Sequence, residues 1–194
     1  MVVILVGASS TGKSSISDAL FSNFSYERVI SFTTRKPRPG ETDGLDYVFI
    51  DETEFKNKIV SGDVVEYEEY SQNRFYGSSR YQYLGDEDKV AILTPHGVRS
   101  LKKKMPELDL FVVYIKAPLK ERAIRYINRC GSNFTYSDMT ELSERTQRDF
   151  GMFNGFEDEA DLIIENSDEY TPQIQAFTIV TAIERRKNQS NERN

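Results

Sequence analysis

Gly7, Gly12, Lys13 and Ser14, within GASSTGKSS, keep the spacing G-x-x-x-x-G-K-[ST]. Glycines open backbone angles closed to other residues, so successive N–H groups can converge on one anion. A helix starting here adds its positive N-terminal end. Lys13 supplies a mobile point charge for β- and γ-phosphates, and Ser14 a hydroxyl for Mg²⁺. Gly7, Ser9, Ser10, Thr11, Gly12, Lys13, Ser14 and Ser15 are therefore expected to cradle the phosphates of a nucleoside triphosphate. GTPases, ATPases, transport motors and small-molecule kinases all use such a loop, so it leaves the reaction open.

A second set of anion-binding residues follows. SFTTRKPRPGETDGLDY, from Ser31 to Tyr47, places Arg35 and Arg38 around a proline in a stretch that cannot be helix. Pro37 and Pro39 lower the entropy cost of holding both guanidinium forks ready for a phosphate. Tyr47, then Tyr76 and Ser78 of RFYGSS, add hydroxyls that can complete a phosphate cage. A third set, Arg125, Arg129, Arg145 and Arg148, brackets the irregular stretch CGSNFTYSD.

The elements that must position these groups alternate. Val2–Val6 reads as a buried strand bounded by Gly, and Ile16, Leu20 and Phe24 recur at helical spacing. Strand patterns return at Val29–Phe32, Val48–Ile50, Val64–Tyr70, Val90–Leu93, Phe111–Ile115 and Leu162–Ile164. Asp51 with Glu54 resembles a helix-start box, with Phe55 and Ile59 on the buried face. Further helices are predicted over Leu119–Ile127, from near Ser137, and from Thr171-Pro172, the last with Ile174, Phe177 and Val180 on one face. The pattern predicts an α/β fold with a doubly wound parallel sheet, irregular segments near 33–84 and 128–140 being inserted lobes.

Composition narrows the class. At 194 residues the chain suits one domain, and a net charge of −6 does not favour broad nucleic-acid binding. One cysteine, Cys130, leaves no internal disulfide, which suits a reducing cytoplasm. One histidine, His96, argues against a His-based metal site or a Ser-His-Asp triad. No apolar run approaches the roughly 20 residues of a membrane span, and the start lacks the pattern of a signal peptide.

The phosphate loop, SxTTRxPRPGExDGxDY from Ser31 to Tyr47, and YGSS from Tyr76 occur in an order and at distances that resemble the guanylate kinase family, from Val2 to about Ile183. The resemblance implies a P-loop NTPase core (1–32, 85–127 and 146–185), with an inserted monophosphate-binding lobe (33–84) holding a small mixed or antiparallel sheet. It also implies a lid (128–145), while the polar tail (186–194) reads from its own composition as disordered. The implied activity is ATP- and Mg²⁺-dependent phosphorylation of GMP or dGMP, with no nucleic-acid or membrane partner, by a monomer or homodimer. Ser31 and Glu66 would then read guanine, with Glu68 or Glu69 contending for the carboxylate role. Arg35, Arg38, Tyr47 and Tyr76 would grip the acceptor phosphate, and Ser78 would lie near base and phosphate. Lys13, Arg38, Arg125, Arg129 and Arg145 would serve catalysis, with Arg148 in reserve, and Asn166 would contact the donor adenine. Ser14 would bind Mg²⁺.

The pattern departs from the family at one place. Ile92 and Thr94 stand where an acidic pair is usual, so the expected metal or base-reading carboxylate is missing there. Another (deoxy)nucleoside monophosphate or a phosphosugar as acceptor, or a guanylate-kinase-like binding module, are the competing readings.

Overall fold

The computed structural model describes residues 1–38, 40–71 and 73–192. Pro39, read above as stiffening the arginine loop, and the last two residues of the expected tail lie outside them.

In chain order the elements are β1 (Val2–Val6), α1 (Lys13–Phe24), β2 (Glu27–Arg28), β3 (Phe32–Thr33), β4 (Val48–Phe49) and α2 (Glu52–Val60). Then come β5 (Val64–Ser71), β6 (Arg74–Ser79), β7 (Lys89–Ile92), α3 (Pro95–Lys104) and β8 (Leu110–Lys116). α4 (Leu119–Cys130), α5 (Tyr136–Met152), β9 (Leu162–Glu165) and α6 (Pro172–Asn191) complete the described chain. The core is a five-stranded parallel sheet in the order β2-β7-β1-β8-β9, and a four-stranded mixed sheet has the order β4-β3-β6-β5. β3 pairs parallel with β4 and antiparallel with β6, which pairs antiparallel with β5. β1 and the middle of β8 are buried on both faces, as their unbroken apolar runs require in a parallel sheet.

The chain divides into two compact units, and the division falls inside β1. The first comprises Met1–Ile4 and Tyr26–Leu110. Its mixed sheet packs through Phe32, Phe55, Val64 and Phe75, with Val48, Ile50, Ile59 and Tyr67 at the edge. Phe55 and Phe75 stack at 5.3 Å. Asp51 caps α2 as its spacing predicts, accepting from the Glu54 N–H at 2.8 Å. The second unit comprises Leu5–Ser25 and the chain from Phe111 onward.

Several expectations are corrected. Val29–Phe32 is not one strand. β2 pairs with β7 in the large sheet, and β3 pairs in the small one, with the break between them. The stretch 128–140 leaves the α-helical pattern only from Gly131 to Thr135, with a 3-10 turn at Gly131–Asn133, because α4 runs through Cys130 and α5 starts at Tyr136. Thr135 and Asp138 form a reciprocal capping box that fixes this start. α6 buries Gln175, Ala176, Ile179 and Ile183, while Ile174 and Phe177 are 49% and 62% exposed. The buried stripe is thus offset by about one residue from the bulkiest apolar one. α6 also continues to Asn191, past the expected start of a disordered tail, since no Gly or Pro interrupts ERRKNQSN.

Candidate functional site

The second unit carries the phosphate loop. β1 ends against it, and a Cβ on Gly7 would lie 2.3 Å from the Ile115 carbonyl oxygen, so only glycine permits this approach. Gly12 has φ +92° and is the N-cap of α1. A glycine cap provides no side-chain acceptor, and the first turn of α1 has no acidic residue. The first N–H groups of α1 are therefore left for an external anion. Thr11 Oγ1 donates to the Ala8 carbonyl at 2.9 Å and fixes the loop's curvature.

Asn166, from the end of β9, donates through Nδ2 to the Thr11 carbonyl at 2.7 Å and is buried. Its side chain braces the loop from beneath. A Cβ on Gly12 would meet that Nδ2 at 2.3 Å. Gly12→Ala is therefore expected to cost about 1–2 kcal/mol from the left-handed backbone alone. That corresponds to a melting temperature lower by roughly 2–8 °C, measurable by thermal denaturation.

Lys13 turns inward, its Nζ donating to the Gly7 and Ala8 carbonyls at 2.8 Å each. Burial pushes its pKa down to about 8; Asp149 opposes this, while Arg122, Arg145 and Arg129 add to it. Ser14 and Ser15 are exposed, and Ser9 and Ser10 half-buried. Arg129 and Arg145 both lie over the Tyr126 ring, at 5.1 and 5.7 Å. Arg145 also pairs with Glu141. Arg125 is placed differently from expectation. Its Nη2 donates to Asp168 at 2.6 Å and to the Asn166 carbonyl at 3.0 Å, and it pairs with Glu121 at 3.2 Å. These bonds commit it to the loop after β9. Arg148 is half-buried on α5.

Two residues of this unit stand out in no sequence motif. Arg122, on α4, donates through Nε to the Ser9 carbonyl at 2.8 Å. Asp149, on α5, accepts from the Ser9 N–H at 2.8 Å. The pair was detectable only as a charge at i+4 from Arg145 and one three residues before Arg125, which is too weak a signal to select.

The first unit carries the other arginine set. Arg35 is buried and makes a bidentate pair with Glu41 at 2.5 and 2.6 Å. Its Nε donates to the Tyr76 hydroxyl at 3.1 Å, and its guanidinium lies 4.8 Å over the Tyr47 ring. Burial works against the Arg35 charge, but the Glu41 hydrogen bond and the neighbouring tyrosines outweigh it and hold the pKa above its usual value. Glu41 also accepts from the Arg38 N–H at 2.8 Å, so it organises both arginines. Arg35, Arg38, Tyr47 and Tyr76 thus come together, around a carboxylate no motif had marked.

Across β5 and β6, Glu66 pairs in register with Ser78, and Glu68 with Tyr76. Glu66 is buried and accepts from Ser78 Oγ at 2.6 Å, which also meets the Tyr83 hydroxyl at 2.8 Å. Burial, aided by Glu68 and opposed by Ser78 and Lys104, raises its pKa to about 7. Glu68 instead accepts from Thr94 Oγ1 at 3.2 Å and faces His96 Nδ1 at 3.5 Å. Glu69 is exposed and accepts from the Asn73 N–H at 3.0 Å, in the turn between β5 and β6. Ser31 is half-buried, and its carbonyl accepts from Val48. Thr94 caps α3 through Gly97 N, and Ile92 ends β7. Among the described residues, no group of three or more His, Cys, Asp or Glu could hold a metal ion.

A glycine-capped helix behind β1, with an inward lysine and clustered arginines, defines a P-loop α/β protein. The sequence model described as guanylate kinase matches residues 1–176, and the chain belongs to that family. A guanylate kinase of Lactobacillus johnsonii is 35% identical over 135 residues, 66% of this chain and 65% of that protein. One from Syntrophus aciditrophicus is 32% identical over 163 residues, 78% of this chain and 77% of that protein. In the relative from Lactobacillus acidophilus the match spans 55% of its length, so the chain spans less than two thirds of some of the relatives it matches. A solved guanylate kinase from Anaplasma phagocytophilum shares the fold, with a TM-score of 0.69 at 20% identity over 96% of this chain and 85% of that one. Among the described residues no helix is long and apolar enough to cross a membrane.

Proposed function

We propose that the protein transfers the γ-phosphoryl group of ATP to GMP or dGMP, giving ADP and GDP or dGDP. The observation that carries this reading is the buried Glu66 carboxylate, held by Ser78 at 2.6 Å in a strand register that sets Glu68 opposite Tyr76. Guanine offers N1–H and a 2-amino group to such a carboxylate, and adenine does not. A site built around those bonds rejects a base that leaves its buried acceptor unpaired. Ser31 would complete base recognition, while Arg35, Arg38, Tyr47 and Tyr76 would take the acceptor phosphate in the place Glu41 now holds. The lobe 33–84 is then the acceptor lobe, and 128–145 the lid.

An oxygen of the acceptor phosphate attacks the γ-phosphorus, and the bond to the β–γ bridging oxygen breaks. The attacking oxygen is already ionised, so no general base is needed, and the bridging oxygen leaves on ADP with the electron pair of the broken bond. Lys13, Arg129 and Arg145 neutralise charge on the transferring group. Arg125, committed to Asp168, would hold the loop that carries Asn166. The exposed Ser14 hydroxyl suits Mg²⁺, which keeps most of its waters and binds through substrate phosphates. When bound, the ion would supply charge neutralisation to the β- and γ-phosphates. A cytoplasmic setting accords with the single free cysteine.

The test is ADP release from Mg-ATP with GMP, dGMP, AMP, CMP, UMP or dTMP as acceptor. Turnover with guanine nucleotides at least about 10³ times that with the others is expected. Equal turnover with AMP, or none with any acceptor, would refute the proposal.

A further inference from the structure

Asp149 is a buried carboxylate, 4% exposed, that no step above employs. It accepts from the Ser9 N–H at 2.8 Å, from Ser9 Oγ at 3.5 Å and from Arg122 Nη2 at 2.6 Å. Arg122 closes the ring by donating through Nε to the Ser9 carbonyl at 2.8 Å. Both main-chain polar groups of Ser9 are thus taken, one by the carboxylate and one by the guanidinium, and those two side chains bond each other. The cycle joins α4, α5 and the phosphate loop across 140 positions of sequence.

Burying an ion pair is an expensive way to gain stability, because desolvation offsets much of the attraction. What this pair adds is geometry. Ser9 lies in the loop four residues before Lys13, and the cations facing Lys13 are Arg122 and Arg129 of α4 and Arg145 of α5. Asp149 is a carboxylate among them, as Glu141 is beside Arg145. Without Asp149, mutual repulsion would favour spreading these cations apart, and the loop would lose its fixed partner at Ser9.

We infer that Asp149 is a positioning residue of the donor site, tying Ser9 of the phosphate loop to Arg122 so that loop and arginines hold one geometry before the triphosphate arrives. Such preorganisation spares ordering cost on binding. The inference rests on the reading of the loop as a triphosphate site, but not on the identity of the acceptor.

The test uses the full chain and a ribose-labelled fluorescent ATP analogue with Mg²⁺, titrated in the absence of acceptor. Asp149→Ala is expected to weaken analogue binding about tenfold, with the KM for GMP changed less than about twofold. Asp149→Asn keeps an acceptor for the Ser9 N–H and is expected to restore most of the affinity, leaving a loss of about threefold. In an Arg122→Ala background, each Asp149 change should cost clearly less than it does in the wild type, because part of its effect is shared with Arg122 through the cycle at Ser9. Unchanged affinity in Asp149→Ala, or losses that add fully to that of Arg122→Ala, would overturn the inference. A proportional rise in the KM for GMP would also overturn it. If Asp149→Ala does not fold, the Asn variant in both backgrounds decides alone. Failure of the wild type to phosphorylate GMP would remove the acceptor reading and leave this binding series intact.

Discussion

Lys13→Ala is expected to lower turnover by about 10²–10³-fold while leaving the fold in place, the loss typical of removing one preorganised transition-state donor. The side chain donates to the Gly7 and Ala8 carbonyls, and its charge is carried at a cost, since burial pulls the pKa down to about 8. Three arginines also face it, so removing the ammonium relieves repulsion as well as losing two hydrogen bonds. The thermal midpoint should move by no more than a few degrees. What disappears is the point charge that follows the β- and γ-phosphates. ADP release at saturating Mg-ATP and GMP measures the loss. Unchanged turnover would mean that the loop does not carry the chemistry.

Glu66→Gln should have the second large effect, with two separable signatures. For catalysis, the amide offers one acceptor oxygen in place of two, and its NH₂ faces the donors of guanine. A drop of about 10²-fold in kcat/KM for GMP is expected. For stability, the native carboxyl holds its proton to about pH 7, against an ordinary value of 4.5. Between those values the folded chain binds more protons than the unfolded one. Stability of the unliganded protein therefore rises as pH falls through 7, and the gain is complete below 4.5. Glutamine has no such dependence. At pH 8 it should be the more stable variant, by on the order of 3 kcal/mol at most, and at pH 5 nearly equal to wild type. Thermal melts at the two pH values check this. The GMP affinity of wild type should fall below pH 7, as the protonated carboxyl loses acceptor capacity.

The phosphate loop was legible because its function is written in backbone permissions: Gly7 and Gly12 are glycine for steric reasons that sequence states directly. Arg35 and Arg38, proposed above for the acceptor, were legible because prolines and glycines excluded a helix around them. Glu41 was visible in the same stretch but silent, since a carboxylate among arginines reads as neutralisation until geometry shows it holding both Arg35 and Arg38. Asp149 and Arg122 were hidden for a different reason. Their partner is the backbone of Ser9, at a sequence separation of 140 for one and 113 for the other. Periodicity and local spacing report neighbours within a turn or two, and these contacts exist only after α4 and α5 pack. The offset stripe of α6 has the same origin: Gln175 enters the buried face by donating to the Glu165 carbonyl, a bond hydrophobicity cannot foresee. The different placements of Glu66, Glu68 and Glu69 also needed the β5–β6 register, because a bulge between Val64 and Glu66 breaks simple alternation.

β1 has a consequence for synthesis. Its five residues are apolar and buried, with β7 on one side and β8 on the other. The nearer edge of β8 comes about a hundred residues later in the chain. At roughly 5–20 residues per second, Val2–Val6 waits on the order of 5–20 s on the ribosome before its last strand partner exists. During that interval a β-branched, uncharged segment is exposed, the kind that pairs with other chains. The nascent chain is thus most exposed to aggregation before β8 emerges, and slow codons placed between β1 and β8 would lengthen the hazard.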